Sequence, residues 1–124
     1  MRRIAYLLLA VFLTGCSAQM VELASPMSVV EIDEGVYRLE NTVTVKAAHA
    51  APLELRAGTT WQQIGSIAQG NVWDTKDQVV IVNSFDVHEA AIVTNNEQVV
   101  GFYLKVAETF VEATPVPISL TTAE

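Results

Sequence analysis

The sequence predicts a small all-β domain, a compact barrel or a sandwich, preceded by a cleaved signal helix and a short tether. From Val29 onward, short apolar or alternating runs are separated by glycine, asparagine and aspartate residues, which favour turns. After Cys16, no stretch of ten or more residues has a convincing helical period. Chains of many short strands fold into barrels or sandwiches, because those architectures bury one face of every strand.

The first fifteen residues have the layout of an export signal. Arg2 and Arg3 precede the uncharged run from Ile4 to Leu13, and this order of charged and apolar regions is typical of signal peptides. At about 1.5 Å per residue the run forms a helix of roughly 15 Å, which is half of the ~30 Å hydrocarbon core of a bilayer. We therefore expect an export signal and not a membrane-spanning helix.

The sequence Leu13-Thr14-Gly15-Cys16 ends the signal and resembles the lipobox of bacterial lipoproteins. The resemblance implies cleavage between Gly15 and Cys16, with lipid attached to the sulfur of Cys16. Small side chains before the cysteine leave the backbone open to a peptidase, and a thiol readily forms a thioether. Cys16 is the only cysteine, so no intrachain disulfide is possible in the oxidising compartment that we expect.

The residue after the cysteine is Ser17. In Gram-negative lipoproteins this position resembles a sorting signal, and aspartate there favours retention at the inner membrane. The resemblance therefore implies a lipid-anchored protein of the outer membrane, on its periplasmic face.

Removal of the signal leaves 109 of the 124 residues, enough for one domain. We expect a signal peptide at 1–15, a lipidated tether at 16–27 and the β domain at 28–120. Residues 17–26 lack a clear period, and their apolar members leave an edge strand on the domain as the alternative. The signal holds two of the 7 basic and none of the 14 acidic residues, so the mature chain has a net charge of −9. This charge argues against a nucleic-acid partner and against adhesion to anionic lipid.

The first half of the domain predicts two hairpin elements. Residues 29–32 and 36–39 flank Asp33-Glu34-Gly35, where glycine favours a hairpin turn. Residues 42–46 alternate strictly, which predicts a strand with Val43 and Val45 on one face. The alanine-rich residues 47–51 fit a strand end, a helical turn or a linker.

The second half is richer in strand patterns. Trp61, Ile64 and Ile67 share a spacing of three, but Gly65 and the two isoleucines favour a strand over a helix. The continuous apolar run at 79–82 predicts a central strand covered on both faces. In length and strand spacing, residues 53–118 resemble an SH3-like barrel.

Residues 89–94 and 97–106 predict a hairpin around Asn95-Asn96, because asparagine tolerates the left-handed conformation that tight turns require. In its second strand one face is expected in the core, and the opposite face is expected to be partly exposed. The core face holds Val100, Phe102, Leu104 and Val106, and the exposed face holds Gly101, Tyr103 and Lys105.

The one cluster of chemistry-bearing residue types is Asp86-Val87-His88-Glu89. On a strand Asp86 and His88 share a face, which makes Asp86, His88 and Glu89 weak metal candidates. A structural loop is the favoured interpretation, since a zinc site needs three or four ligands and His49 is isolated. The serines lie in no nucleophile motif, and no glycine-rich phosphate loop is present. We therefore expect neither an enzyme nor a bound cofactor.

Trp61, Trp73 and Tyr103 are the candidate binding residues, because tryptophan and tyrosine often anchor partner recognition. Burial in the core is the alternative for both tryptophans. Three functional hypotheses follow. The first is a non-catalytic lipoprotein whose domain binds another envelope protein. The second is a module that binds cell-wall glycan or peptide through an aromatic face. The third is a metal-dependent or hydrolytic function around His88.

Overall fold

The computed structural model describes residues 22–29, 32–48, 50–83 and 87–123, and this part of the chain contains strands and no helix. The predicted all-β class is therefore confirmed. The predicted signal peptide and Cys16 lie outside the described residues. The strands are β1 (Glu22–Ala24), β2 (Val36–Leu39), β3 (Val43–Val45), β4 (Leu53–Leu55), β5 (Thr60–Ile67), β6 (Gly70–Asp74), β7 (Ile81–Asn83), β8 (Val87–Asn95), β9 (Gln98–Leu104), β10 (Thr109–Pro117) and β11 (Leu120–Thr122).

One antiparallel sheet organises the domain in the order β1-β10-β9-β8-β6-β5-β2-β11. Strand β7 pairs with the beginning of β8, and β3 and β4 form a separate hairpin. Only Ile118 and Ser119 separate β10 from β11, although β10 pairs with β9 and β11 pairs with β2. The sheet therefore curls until one stretch of chain joins its two sides, which makes the fold barrel-like.

The main core lies inside this curled sheet. Its largest fully buried side chains include Trp61, Phe102 and Leu39. The β3–β4 hairpin packs against this core through alternating residues, with Val43 and Val45 buried and Thr44 exposed, as the sequence predicted. The alanine-rich residues form a turn after a bridge between Ala47 and Ala113.

A second core covers the opposite face of the sheet. It contains Ile67, Val72, Ala91, Val93, Tyr103 and Phe110. Residues 22–29, here called the strap, run from the edge of β10 to β5. Strand β1 pairs with β10, Ser28 exchanges two backbone hydrogen bonds of 2.8 Å with Ser66, and Met27 packs on the second core. Part of the segment predicted as a tether is therefore an edge strand, and the central sheet is buried on both faces.

The predicted hairpin between residues 29–32 and 36–39 is wrong. Strand β2 pairs with β5 on one edge and with β11 on the other, so it has no free edge for the preceding segment. Val30 and Glu31 lie outside the described residues.

The apolar run at 79–82 does not form a central strand. Only Ile81–Asn83 is extended, and it pairs with β8 alone, before the point where β8 meets β6. Val80 and Val82 are buried in the main core, but Val79 is 70% exposed.

The hairpin of β8 and β9 is confirmed, with its turn one residue later than predicted. Asn96 and Glu97 have φ angles of 55° and 62°, so they occupy the two left-handed positions. Val93 pairs with Gly101 and Thr94 with Val99, which leaves Val100 as the extra residue of a β-bulge.

The bulge changes which side chains of β9 share a face. Phe102 and Leu104 belong to the main core as predicted, but Val100 packs against the second core. Val106 lies in the turn after β9 and is 92% exposed, so its predicted core position is wrong.

Residues 60–67 form a strand, β5, as predicted, with an irregular register between Gln63 and Gly65. The segment 53–118 is not a complete barrel in itself. The sheet also requires β2, which precedes this segment, and β11, which follows it.

Candidate functional site

A groove with a volume of about 610 Å³ opens at one end of the barrel. Its walls come from the β5–β6 turn, the β8–β9 turn, the link between β10 and β11, strand β2 and the residue Asp33. The barrel topology brings these parts together, because the β5–β6 and β8–β9 turns lie beside each other where β6 pairs with the end of β8.

Two aromatic rings form part of the groove. Tyr37 and Trp73 meet edge to face, with ring centroids 5.4 Å apart and planes at 85°. Trp73 is only 8% exposed, and its Nε1 donates a hydrogen bond of 2.8 Å to Oγ1 of Thr94, which also lines the groove. The indole is therefore held in one orientation by packing and by a satisfied polar contact.

Asp33 lies at the rim of the groove, where hydrogen bonds join it to Tyr37 of β2 and to Gln63 of β5. Its carboxylate accepts hydrogen bonds from the Tyr37 hydroxyl and from the Gly35 backbone N–H. The Asp33 N–H donates to Oε1 of Gln63 at 2.9 Å, and Nε2 of Gln63 donates to Oδ1 of Asn71 at 3.2 Å. This chain of contacts ties Asp33 and Tyr37 to the β5–β6 side of the groove.

The bond between Asp33 and Tyr37 also affects protonation. The Tyr37 hydroxyl first, and then the Gly35 amide, hold the pKa of the Asp33 carboxyl below its ordinary value. The same bond raises the pKa of the Tyr37 hydroxyl. Asp33 is therefore an anion, and Tyr37 a neutral donor, at neutral pH.

The opposite rim is the β8–β9 turn. The side-chain amide of Asn95 donates to the Gln69 carbonyl at 3.2 Å, and the Ile118 N–H donates to the Glu97 carbonyl at 3.1 Å. These two bonds join the turn to the β5–β6 turn and to the β10–β11 link. The rim is therefore built from three chain segments that hold one another in place.

The charge of the groove is negative. Its lining includes the carboxylates of Asp33 and Glu97, and no lysine, arginine or histidine is among the lining residues in the described part of the chain. Carboxylates accept hydrogen bonds, while the amides of Asn71 and Asn96 and the hydroxyl of Ser119 can both donate and accept. The groove therefore suits a neutral or cationic polar ligand and disfavours phosphates and other anions.

Of the predicted binding residues, the structure places one in this site. Trp73 lines the groove, whereas Trp61 is fully buried in the main core with its Nε1 bound to Oγ1 of Thr59. Tyr103 is 3% exposed, so the predicted exposed face of β9 is wrong. The strap covers this face, and burial first and Glu108 second raise the pKa of the Tyr103 hydroxyl.

Sequence reasoning missed the residues that surround Trp73. Asp33 and Tyr37 lie far from Trp73 in the sequence and meet it only through the pairing of β2, β5 and β6. The sequence does carry one signal for this site, the run Asn95-Asn96-Glu97, because three polar residues at a tight turn place amides and a carboxylate at one point. By itself, however, the run predicts only a turn.

The weak metal candidates do not form a site in the described structure. His88 is half-buried on β8, and the Glu89 carboxylate lies 3.6 Å from Nζ of Lys105, which is also 2.7 Å from Asp74. Asp86 lies outside the described residues. Within those residues no three histidine, cysteine, aspartate or glutamate side chains are grouped to hold a metal ion.

Within residues 22–29, 32–48, 50–83 and 87–123, no helix is long and apolar enough to cross a bilayer. Comparison of the chain with protein-family models, with curated proteins and with solved structures gives no match.

Proposed function

We propose that this protein is a non-catalytic lipoprotein of the cell envelope whose β domain binds a neutral, hydroxyl-rich ligand, cell-wall glycan, in the groove beside Trp73. The groove is the observation that carries the proposal. Its volume of about 610 Å³ lies within the roughly 300–1,000 Å³ that is typical of ligand pockets.

The residue types in the groove favour a sugar over a flat protein surface. A pyranose ring presents hydroxyls around its edge and C–H groups on its faces. The rim offers carboxylate, amide and hydroxyl groups for the edge, and the half-buried Tyr37, with the small exposed part of Trp73, offers apolar surface for a face. Interfaces between proteins usually bury about 800 Å² of surface on each partner. The site here is instead a concave groove of about 610 Å³. The second sequence hypothesis is therefore favoured over the first.

The lipid anchor rests on the sequence Leu13-Thr14-Gly15-Cys16 and on the single cysteine. Each buried methylene of an acyl chain contributes about 0.8 kcal/mol, so one chain binds a membrane reversibly and two or more bind it stably. With Ser17 after the cysteine, we propose the periplasmic face of the outer membrane as the location. A protein held there would meet the cell wall directly.

Titration calorimetry with neutral oligosaccharides of N-acetylglucosamine, and with soluble peptidoglycan glycan whose lactyl carboxyl groups are amidated, tests the proposal. The chain from Cys16 to Glu124 contains every described residue and is the form to use. Glu97→Gln keeps the shape of the side chain and removes its charge, so its hydrogen bonds to ligand hydroxyls weaken. We expect a loss of affinity of roughly five- to tenfold, from about 1 kcal/mol of charge-assisted hydrogen bonding.

Glu112→Gln is the matched control. Glu112 is an exposed carboxylate on β10 that does not line the groove, so this variant should bind like the wild type. Absence of saturable binding by both glycan preparations, or equal affinity losses in the two variants, would contradict the proposal.

A further inference from the structure

The strap is the part of the described domain that is closest in sequence to the proposed lipid. Five residues separate Cys16 from Glu22, the first residue of β1. At about 3.3 to 3.6 Å per residue, even a fully extended connection spans only about 20 Å. A lipid on Cys16 therefore keeps Glu22, where the strap begins, within about 20 Å of the membrane surface.

The strap lies beside another stretch of chain at β10. Strand β1 pairs with β10 from Thr109 to Val111. Farther along β10, Ala47 bridges to Ala113, and the Thr114 N–H donates to the Lys46 carbonyl at 3.1 Å. Strand β1 therefore covers only the first part of β10.

The strap exposes two large apolar side chains. Leu23 is 46% exposed and Val29 is 60% exposed, and they are two of the four large hydrophobic side chains that are exposed in the described structure. Between them Met27 points inward onto the second core. Single exposed apolar residues are ordinary on protein surfaces. Leu23 and Val29, however, both belong to the strap, the described segment that the proposed anchor holds nearest to lipid.

We propose that the strap is a membrane-contact surface, and that Leu23 and Val29 enter the headgroup region of the lipid surface to which Cys16 is anchored. This inference rests on the proposed lipid anchor. The partner is a zwitterionic lipid surface, because a net charge of −9 on the mature chain opposes binding to anionic lipid. In this orientation the β3–β4 side of the barrel faces away from the membrane.

The single cysteine makes a direct test possible. The chain from Cys16 to Glu124 is coupled through Cys16 to a maleimide lipid in phosphatidylcholine vesicles. Half of the samples contain phosphatidylcholine brominated near the headgroup end of its acyl chains, and bromine quenches only tryptophans that approach it closely. Leu23→Trp and Val29→Trp are the reporters, and the wild type gives the background of the buried Trp61 and the largely buried Trp73.

Val79→Trp is the matched control, because Val79 is exposed and lies outside the strap. Its neighbour Val80 packs in the main core, and the side chain of Gln78 donates to the Glu54 carbonyl of β4. We expect bromolipid to quench the added fluorescence at positions 23 and 29 at least twofold and to leave that at position 79 unchanged.

Three results would overturn the inference: equal quenching at all three positions, no quenching at positions 23 and 29, or a dimer in sedimentation that buries both reporters. Both reporters replace exposed side chains, so if circular dichroism shows one variant unfolded, the other still gives the answer. Coupling is chemical, so the result does not depend on acylation in the cell. Failure here would leave the anchor, tested by labelling in cells, and the glycan groove, tested by calorimetry, in place.

Discussion

Met27 of the strap lies directly over Gly65 of β5, so closely that a Cβ atom at Gly65 would come within 2.5 Å of Met27 Cγ and 2.8 Å of the Ser28 carbonyl oxygen. The absence of a side chain at Gly65 is therefore what allows the strap to seat on the sheet. Met27 also packs against the second core, which contains Tyr103.

We expect Gly65→Ala to destabilise the domain by about 1 to 3 kcal/mol, because it overpacks the seat of the strap. Met27→Ala in the same chain removes the clashing methylene and sulfur, so the double variant should lose less stability than the sum of the two single variants. Urea unfolding of all four proteins measures this coupling. Strictly additive losses would mean that the strap does not rest on Gly65.

Phe102→Ala and Tyr103→Ala should each cost about 3 to 5 kcal/mol, because Phe102 is buried in the main core and Tyr103 in the second. Val106→Ala is the control, since Val106 is exposed, and its effect should stay within about 0.5 kcal/mol. Denaturant melts of the three variants provide the comparison. A small loss for Tyr103→Ala alone would show that the strap leaves this face open.

Asp77 gives the stability of the domain an expected dependence on acid pH. Its Oδ2 accepts hydrogen bonds of 2.7 Å from both the N–H and the hydroxyl of Thr60, and these bonds lower the pKa of the carboxyl. A lowered folded-state pKa contributes stability above the unfolded value of about 3.9, and this contribution is lost as pH falls through the folded value.

The domain should therefore unfold more easily below about pH 4, and Asp77→Asn should flatten that dependence. Melting temperatures at several pH values between neutrality and acid measure it. Glu112→Gln, which changes a carboxylate that has no hydrogen bond within the described part of the chain, should leave the profile unchanged. Identical profiles for Asp77→Asn and the wild type would refute the assignment.

Cys16→Ala should yield an uncleaved or soluble precursor that takes up no radiolabelled palmitate, because no other side chain of the chain is a thiol. Labelling in cells and fractionation check this. Incorporation of palmitate at the wild-type level would exclude the proposed lipidation.

Ser17→Asp should move the protein toward the inner membrane in a Gram-negative host, because aspartate after the lipidated cysteine favours retention there. Density-gradient separation of the two membranes gives the distribution. An unchanged profile would remove the ground for an outer-membrane location.

Local patterns predicted the parts of the fold that depend on neighbouring residues. The alternation of Val43 and Val45 and the polar turn at Asn95-Asn96 each indicated a strand or hairpin that is present. The partners of β2 were not predictable, because β5 and β11 compete for its edges with the segment beside it. The bulge at Val100, which moves one side chain to the other face, was not predicted either, although Gly101 directly follows it and an isolated glycine in a strand can mark a bulge.

The groove was the least predictable feature. Trp73 could be singled out as an aromatic residue, but its exposure depends on Tyr37, Asp33 and the β10–β11 link, which only the closed sheet brings beside it. Tyr103 shows the opposite error. Its face alternates with a core face and was expected to be partly exposed, but it lies in the second core, against which Met27 of the strap also packs.

The link between β10 and β11 has a consequence for folding. Strand β11 covers the outer edge of β2, where Leu120 pairs with Leu39. Until β11 is in place, that edge of β2 presents unpaired backbone groups. Unpaired strand edges recruit other strands, so loss of the β11 pairing would expose an edge at which copies of the chain can associate.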